Sequence, residues 1–203
     1  FIYFSSTGVN GFVDDKARPI SENIYGSLDP TLISNSYLES KRMGENLCYA
    51  WYSQKNIPIQ IVRPSITYGP GIQLDDGRSY ADFISNIVQN KNLILSSKGT
   101  AIRNYCYISD FIGGLILMMT KGKVGETFNI ANEKEISIKN LANLIVNKFF
   151  KEKKLKVIYS KNNNFLRVNF NRTTVSTKKI RSLGWKILTS LEDGFKRTVK
   201  TYE

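Results

Sequence analysis

Residues 36–71 read SYLESKRMGENLCYAWYSQKNIPIQIVRPSITYGPG, and the order of elements within them decides the fold. Residues 37–55 predict a long helix, with Leu38, Leu47, Ala50 and Trp51 as its helically spaced apolar positions. Ile57-Pro58-Ile59-Gln60-Ile61-Val62 is a short apolar run, a buried strand, and Gly69-Pro70-Gly71 closes the segment after it. Ahead of the helix, residues 1–5 are apolar up to Ser5, as a strand buried on both faces should be. A polar loop with Gly8, Gly11, Pro19 and Pro30 joins that strand to the helix.

The alternation continues downstream. A helix is expected at 80–90, strands at 93–95 and 105–108, and an apolar helix from Asp110 to about Thr120, capped by Ser109 or Asp110. Next come a strand at 127–130, an amphipathic helix at 137–150, a strand at 155–159 and a polar stretch at 161–164. Helices at 176–182 and 190–201 end the chain, with Ser190 and Asp193 spaced as in a capping box. Alternating strands and helices without an internal repeat mean an α/β fold with a parallel sheet.

The 203 residues are 41% hydrophobic and 23% charged, enough to bury a core. No apolar run approaches the length of a membrane span, so no membrane partner is expected. The formal charge is +12, but the lysines are scattered, with one short cluster at 151–154. There is no arginine-rich arm and no zinc-finger spacing, so a nucleic-acid partner is not expected. Cys48 and Cys106 sit in apolar surroundings and form no CxxC pair or metal set; both read as buried free thiols, and no metal is expected. The chain has no histidine. Proton transfer therefore falls to Tyr, Lys, Asp, Glu or Cys.

Within the long helix, Tyr37 and Lys41 are four residues apart and project side by side. An ammonium beside a phenol favours the phenolate, which makes such a pair a proton acceptor for a hydroxyl. Alone, this spacing also fits an ordinary surface pair. Its setting adds weight: Ser5-Ser6-Thr7 ends the strand upstream, and a second strand ends downstream at Arg63-Pro64.

SSTGVNG (5–11), SYLESKRMGE (36–45), RPSITYGPG (63–71), IRNYCYISD (102–110), GETFNIAN (125–132) and LGWKILTSLEDG (183–194) follow one another in an order and spacing that resembles the NAD-dependent epimerase/dehydratase branch of the extended short-chain dehydrogenases. Segments 75–84 and 103–115 look most like UDP-glucuronate decarboxylases and related surface-polysaccharide enzymes. The resemblance implies the C-terminal part of a Rossmann-like, doubly wound parallel sheet plus a small α/β substrate-binding domain. Residues 1–70 would be the remaining part of the NAD-binding domain, and 71–203 mainly the nucleotide-sugar region, with some segments returning to the sheet.

By the same resemblance, Tyr37 is the catalytic base, Lys41 its partner and a ligand of the nicotinamide ribose, and Ser6 the catalytic hydroxyl, with Ser5 as its neighbouring alternative and a cofactor contact. Pro64 and Ser65 would lie along the nicotinamide. Thr7, Ile66, Arg78 and Arg103 fall at substrate positions, Arg103 where relatives hold the nucleotide diphosphate. A salt bridge is an equal reading for Arg78, and Asp110 reads as a helix cap rather than a catalytic group.

The chain departs from the family pattern in several places. The GxxGxxG loop and ribose-binding acid of the family do not occur in it. A Rossmann half of about 100 residues is therefore expected ahead of Phe1, and the chain alone is expected to bind NAD poorly, its first strand lacking neighbours. Dehydratases carry an Asp-Glu pair after the catalytic hydroxyl, and decarboxylases a Glu two residues after it; here those positions are Thr7 and Gly8. Ile66 stands where many members have Asn, and Asn10 replaces the usual Tyr of the turn. The expected activity is that of an NAD-dependent nucleotide-sugar epimerase working through a transient 4-keto sugar, with decarboxylase, dehydratase or reductase chemistry as the alternatives inside the family, and a non-catalytic binding domain outside it. A cytoplasmic homodimer is expected for the intact parent.

Overall fold

The computed structural model describes residues 1–160 and 172–203. The polar stretch expected at 161–164 lies outside the described residues. In chain order the main elements are β1 (Ile2–Phe4), α1 (Ser36–Lys55), β2 (Gln60–Pro64), β3 (Ile66–Tyr68), α2 (Ser79–Val88), β4 (Leu93–Leu95), β5 (Ile102–Tyr107), α3 (Ile108–Lys121), β6 (Thr127–Ile130), β7 (Glu135–Ser137), α4 (Ile138–Leu144), β8 (Val157–Tyr159), α5 (Lys178–Ser182) and α6 (Leu191–Lys200).

Three parallel strands, in the order β1-β2-β6, form the first sheet. Its two faces follow from the period-two alternation of strand side chains. Tyr3 and Ile61 pack with Cys48 on α1, and Thr127 meets Tyr49 of the same helix. On the other face, Ile2, Val62, Phe128 and Ile130 pack against Phe111 and Met118 of α3. One helix on each face is the doubly wound arrangement expected from the sequence. Gly44 allows the close approach of α1, since a Cβ there would overlap the Tyr3 hydroxyl. The helix ends at Asn56, in the left-handed region with φ 53°, just ahead of extended Ile57-Pro58.

A second unit is built on β3-β5-β7, with β3 parallel and β7 antiparallel to β5. Its core joins Tyr68, Tyr80, Phe83, Tyr105, Leu141, Phe149 and Phe195. β4 pairs in parallel with β8 beside α2.

Several expectations are corrected. Leu47 and Trp51 are not core positions: both are half exposed, and the buried residues of α1 are Leu38, Glu45 and Cys48. Part of the apolar periodicity there belongs to the outward face, while the charged Glu45 points inward with Leu38 and Cys48. β1 is not buried on both faces: Ile2 and Tyr3 are half-buried and Phe4 is 47% exposed, and among the described residues it pairs only with β2. Neither Ser109 nor Asp110 caps α3, because β5 runs directly into the helix and the cap position falls on Tyr107. The Asp110 carboxylate instead accepts from the backbone N–H groups of Leu188 and Thr189 at 3.3 and 3.0 Å. The helix expected at 137–150 is α from Ile138 to Leu144 and widens into a π turn over Ile145–Phe149. Ser190 does cap α6, accepting from Asp193 N at 3.0 Å.

Candidate active site

β1, β2 and β6 are parallel, so their carboxyl ends lie together, the edge at which open α/β sheets place their ligands. Ser5 continues β1, donating its N–H to Val62 O at 2.8 Å, and Ser65 continues β2, donating to Ile130 O at 3.2 Å. Both serine hydroxyls are buried without a hydrogen-bond partner among the described residues. Buried hydroxyls are normally satisfied, so two orphans on neighbouring strand ends are suited to a polar ligand. Ser6 follows in the turn after β1, where its hydroxyl accepts from Gly8 N at 3.1 Å, and Thr7 is buried behind it.

The first turns of α1 stand over this edge. Tyr37 is 56% exposed, its ring open to a ligand. The Lys41 ammonium lies 5.7 Å from the centroid of the Tyr37 ring and 5.3 Å from that of Tyr3. It also donates to Phe4 O at 2.8 Å, which ties the helix to the end of β1 beside Ser5. Ser5, Ser6, Tyr37, Lys41, Pro64 and Ser65 thus share one sheet edge.

The substrate candidates divide. Arg78 precedes α2 and pairs through two nitrogens with Asp76, while stacking 5.1 Å from the Tyr80 ring centroid. That pair holds the Asp76 carboxyl below its usual range and the guanidinium above its own, and the Tyr37 phenol adds to the field at Arg78. Ile66 starts β3 opposite Tyr105, and Arg103 stands on β5 opposite Ile136, donating to Ile102 O at 2.8 Å. These two belong to the second sheet.

Sequence reasoning passed over the buried residues that join α1 to the turn after Ser6. Arg63, fully buried, donates through Nε and Nη2 to the two Glu45 oxygens at 2.7 and 2.6 Å. It also donates to Asn10 Oδ1, the Glu22 carbonyl and the Tyr25 hydroxyl at 3.2, 3.0 and 3.1 Å. Burial works against its charge, and the Glu45 carboxylate outweighs burial, holding the guanidinium above its usual value. Arg42 donates to Val9 O and Gly26 O, both at 2.7 Å. The available signal was spacing: Glu45 and Tyr49 continue the Tyr37–Lys41 series at steps of four.

Comparison with known proteins agrees with this architecture. Residues 1–131 match the NAD dependent epimerase/dehydratase family. UDP-glucuronic acid decarboxylase 3 of Arabidopsis thaliana is 34% identical over 132 residues, 65% of this chain and 38% of that protein. UDP-glucuronic acid decarboxylase 1 of Xenopus tropicalis is 28% identical over 186 residues, 92% of this chain and 43% of the relative. The chain therefore spans less than half the length of these relatives. Among solved structures, UDP-glucuronic acid 4-epimerase from Bacillus cereus, in complex with UDP-glucuronic acid and NAD, superposes with a TM-score of 0.83 at 24% identity, covering 100% of this chain and 60% of that one. The dTDP-glucose 4,6-dehydratase of Bacillus anthracis, in complex with NAD, gives 0.79 at 20% identity, covering 99% and 60%. With its doubly wound parallel sheet and a family match over residues 1–131, this chain belongs to the NAD dependent epimerase/dehydratase family.

Proposed function

We propose that the intact protein to which this chain belongs is a nucleotide-sugar 4-epimerase. NAD, when bound, supplies reversible oxidation and reduction at the sugar carbon. Ser5 and Ser65, with their unpartnered hydroxyls at the strand ends, and Lys41 are the groups here that fit it. Tyr37 takes the proton from the sugar hydroxyl and returns it after the sugar has presented its other face. Lys41 lends positive charge to the phenolate, and Ser6 orients the reacting oxygen. Arg78 and Arg103 are read as substrate contacts, with residues 1–70 as the cofactor side and 71–203 mainly as the sugar-nucleotide side. On the resemblance, the parent is read as a cytoplasmic homodimer.

One observation carries the choice of epimerase. A Cβ at Gly8 would stand 2.6 Å from Cδ2 of buried Leu38. Leu38 thus fills the space that a position-8 side chain would enter, and Thr7 beside it carries a hydroxyl. The turn after Ser6 offers no carboxylic acid for dehydration or decarboxylation, while epimerisation needs only hydroxyl, phenol and ammonium. The second reading is a UDP-glucuronate decarboxylase, favoured by the 34% identity to the Arabidopsis enzyme. The test is to incubate the intact parent with NAD and UDP-, GDP-, CDP- and dTDP-sugars and to follow products by NMR. A stereoisomer without net NADH is expected. A pentose and carbon dioxide from UDP-glucuronate would establish the second reading instead.

A further inference from the structure

We infer that Arg63 is a positioning residue for the reacting pair, fixing where Tyr37 and Lys41 stand relative to Ser6. The inference rests on the reading of Tyr37 and Lys41 given above. Tyr37, Lys41, Glu45 and Tyr49 form one stripe at steps of four along α1. Three of them are tied to successive strands of the sheet. Lys41 donates to Phe4 O on β1 at 2.8 Å, Glu45 receives the Arg63 fork of β2 at 2.7 and 2.6 Å, and the Tyr49 hydroxyl lies 2.6 Å from Thr127 Oγ1 on β6.

The middle tie differs from the other two. Every donor-bearing nitrogen of Arg63 is engaged, and its partners lie on separate segments: α1 through Glu45, the turn after Ser6 through Asn10, and the following loop through Glu22 and Tyr25. The same buried group therefore grips both the helix that carries Tyr37 and the turn that carries Ser6. A planar fork fixes direction as well as distance, which an ammonium cannot do. α1 advances 1.5 Å per residue, so a small slip at Glu45 is felt two turns earlier at Tyr37.

The test uses Arg63→Lys and Glu45→Gln in the intact, NAD-loaded parent. Arg63→Lys is expected to lower kcat about 100-fold, the cost of roughly an ångström of misplacement, with the KM for the nucleotide sugar unchanged. Glu45→Gln, which keeps the shape but removes the countercharge and sets an amide N–H against the Arg63 fork, is expected to lose in the same direction. A lower Tm with unchanged kcat per folded molecule would overturn the inference, as would a loss confined to KM. A second measurement is independent of turnover. In this chain, the Phe4 carbonyl 13C shift in Lys41→Met gives the value without the lysine tie. Arg63→Lys is expected to move that shift toward the same value, and no movement overturns the inference. If the wild-type parent converts no nucleotide sugar, the proposed function fails while the carbonyl shift still decides the positioning.

Discussion

Tyr37 is open to solvent on the first turn of α1, so its hydroxyl can be removed without disturbing the core. Tyr37→Phe in the intact parent is expected to lower turnover by about 10²–10⁴, the usual worth of a positioned acid–base group. Its stability should stay within about 0.5 kcal/mol of wild type, as for other surface changes, which thermal unfolding checks. The thiols show the opposite situation. Burial pushes Cys106 up to about 12 and raises Cys48, and both are free. Cys106 should not react with a disulfide reagent in the native state near neutral pH, and should react once unfolded. The same burial sets a pH dependence. A group raised in the folded state contributes stability that is whole below its unfolded pKa and is lost as pH climbs through the folded value. For Cys106 the loss begins at about 8.5. For Tyr80 and Tyr105, both pushed up to about 12 by burial, it begins at about 10. The urea midpoint should therefore fall from about pH 8.5 and more steeply from about pH 10, and Cys106→Ala should make the fall shallower throughout, most visibly below about pH 10.

At the scale of elements, α1 shows how much of the site could be read in the sequence. Its extent and the strands on either side were legible from periodicity, while the Tyr37–Lys41 spacing took on meaning only with the resemblance. Its orientation was not legible. Leu47 and Trp51 mark the outward face, and beside Cys48 and Tyr49 the residues facing the sheet include Glu45, which looks solvated until Arg63 is placed opposite it. The partner is 18 residues away and on another element, so no local pattern could pair them. The same holds for Asp110, which looks like a cap by position but spends its oxygens on a loop 78 and 79 residues downstream. The buried pair makes a stability prediction. Glu45→Ala leaves the Arg63 charge without its carboxylate and should cost about 3–5 kcal/mol by urea unfolding. Replacing both, as Glu45→Leu with Arg63→Met, should recover most of that, since a packed apolar pair of similar volume avoids the desolvation cost. If the double replacement were as unstable as Glu45→Ala, the bonds from Arg63 to Asn10, Glu22 and Tyr25 would matter more to folding than the ion pair itself.

At the scale of the whole molecule, one tract of exposed apolar surface flanks the edge of β1 that no other described strand pairs with. On the α1 side, Phe1, Tyr3, Leu47, Cys48, Trp51 and Ile59 line an open apolar groove of 460 Å³. On the α3 side, Phe4, Ile112 and Ile116 are about half exposed. A free strand edge flanked by apolar surface on both faces is a template for association. The 203-residue polypeptide alone is therefore expected to self-associate with rising concentration in sedimentation velocity. The net charge of +12 opposes this, so association should strengthen as added salt screens the repulsion. Trp51→Glu, which puts a carboxylate in the groove, should shift the distribution toward monomer at fixed salt. The intact parent, loaded with NAD, should show no such response to Trp51→Glu if its own chain covers this groove. A response of equal size in both would mean that the groove is an outer surface of the whole protein, and that the association seen with the shorter chain is the contact the parent itself uses.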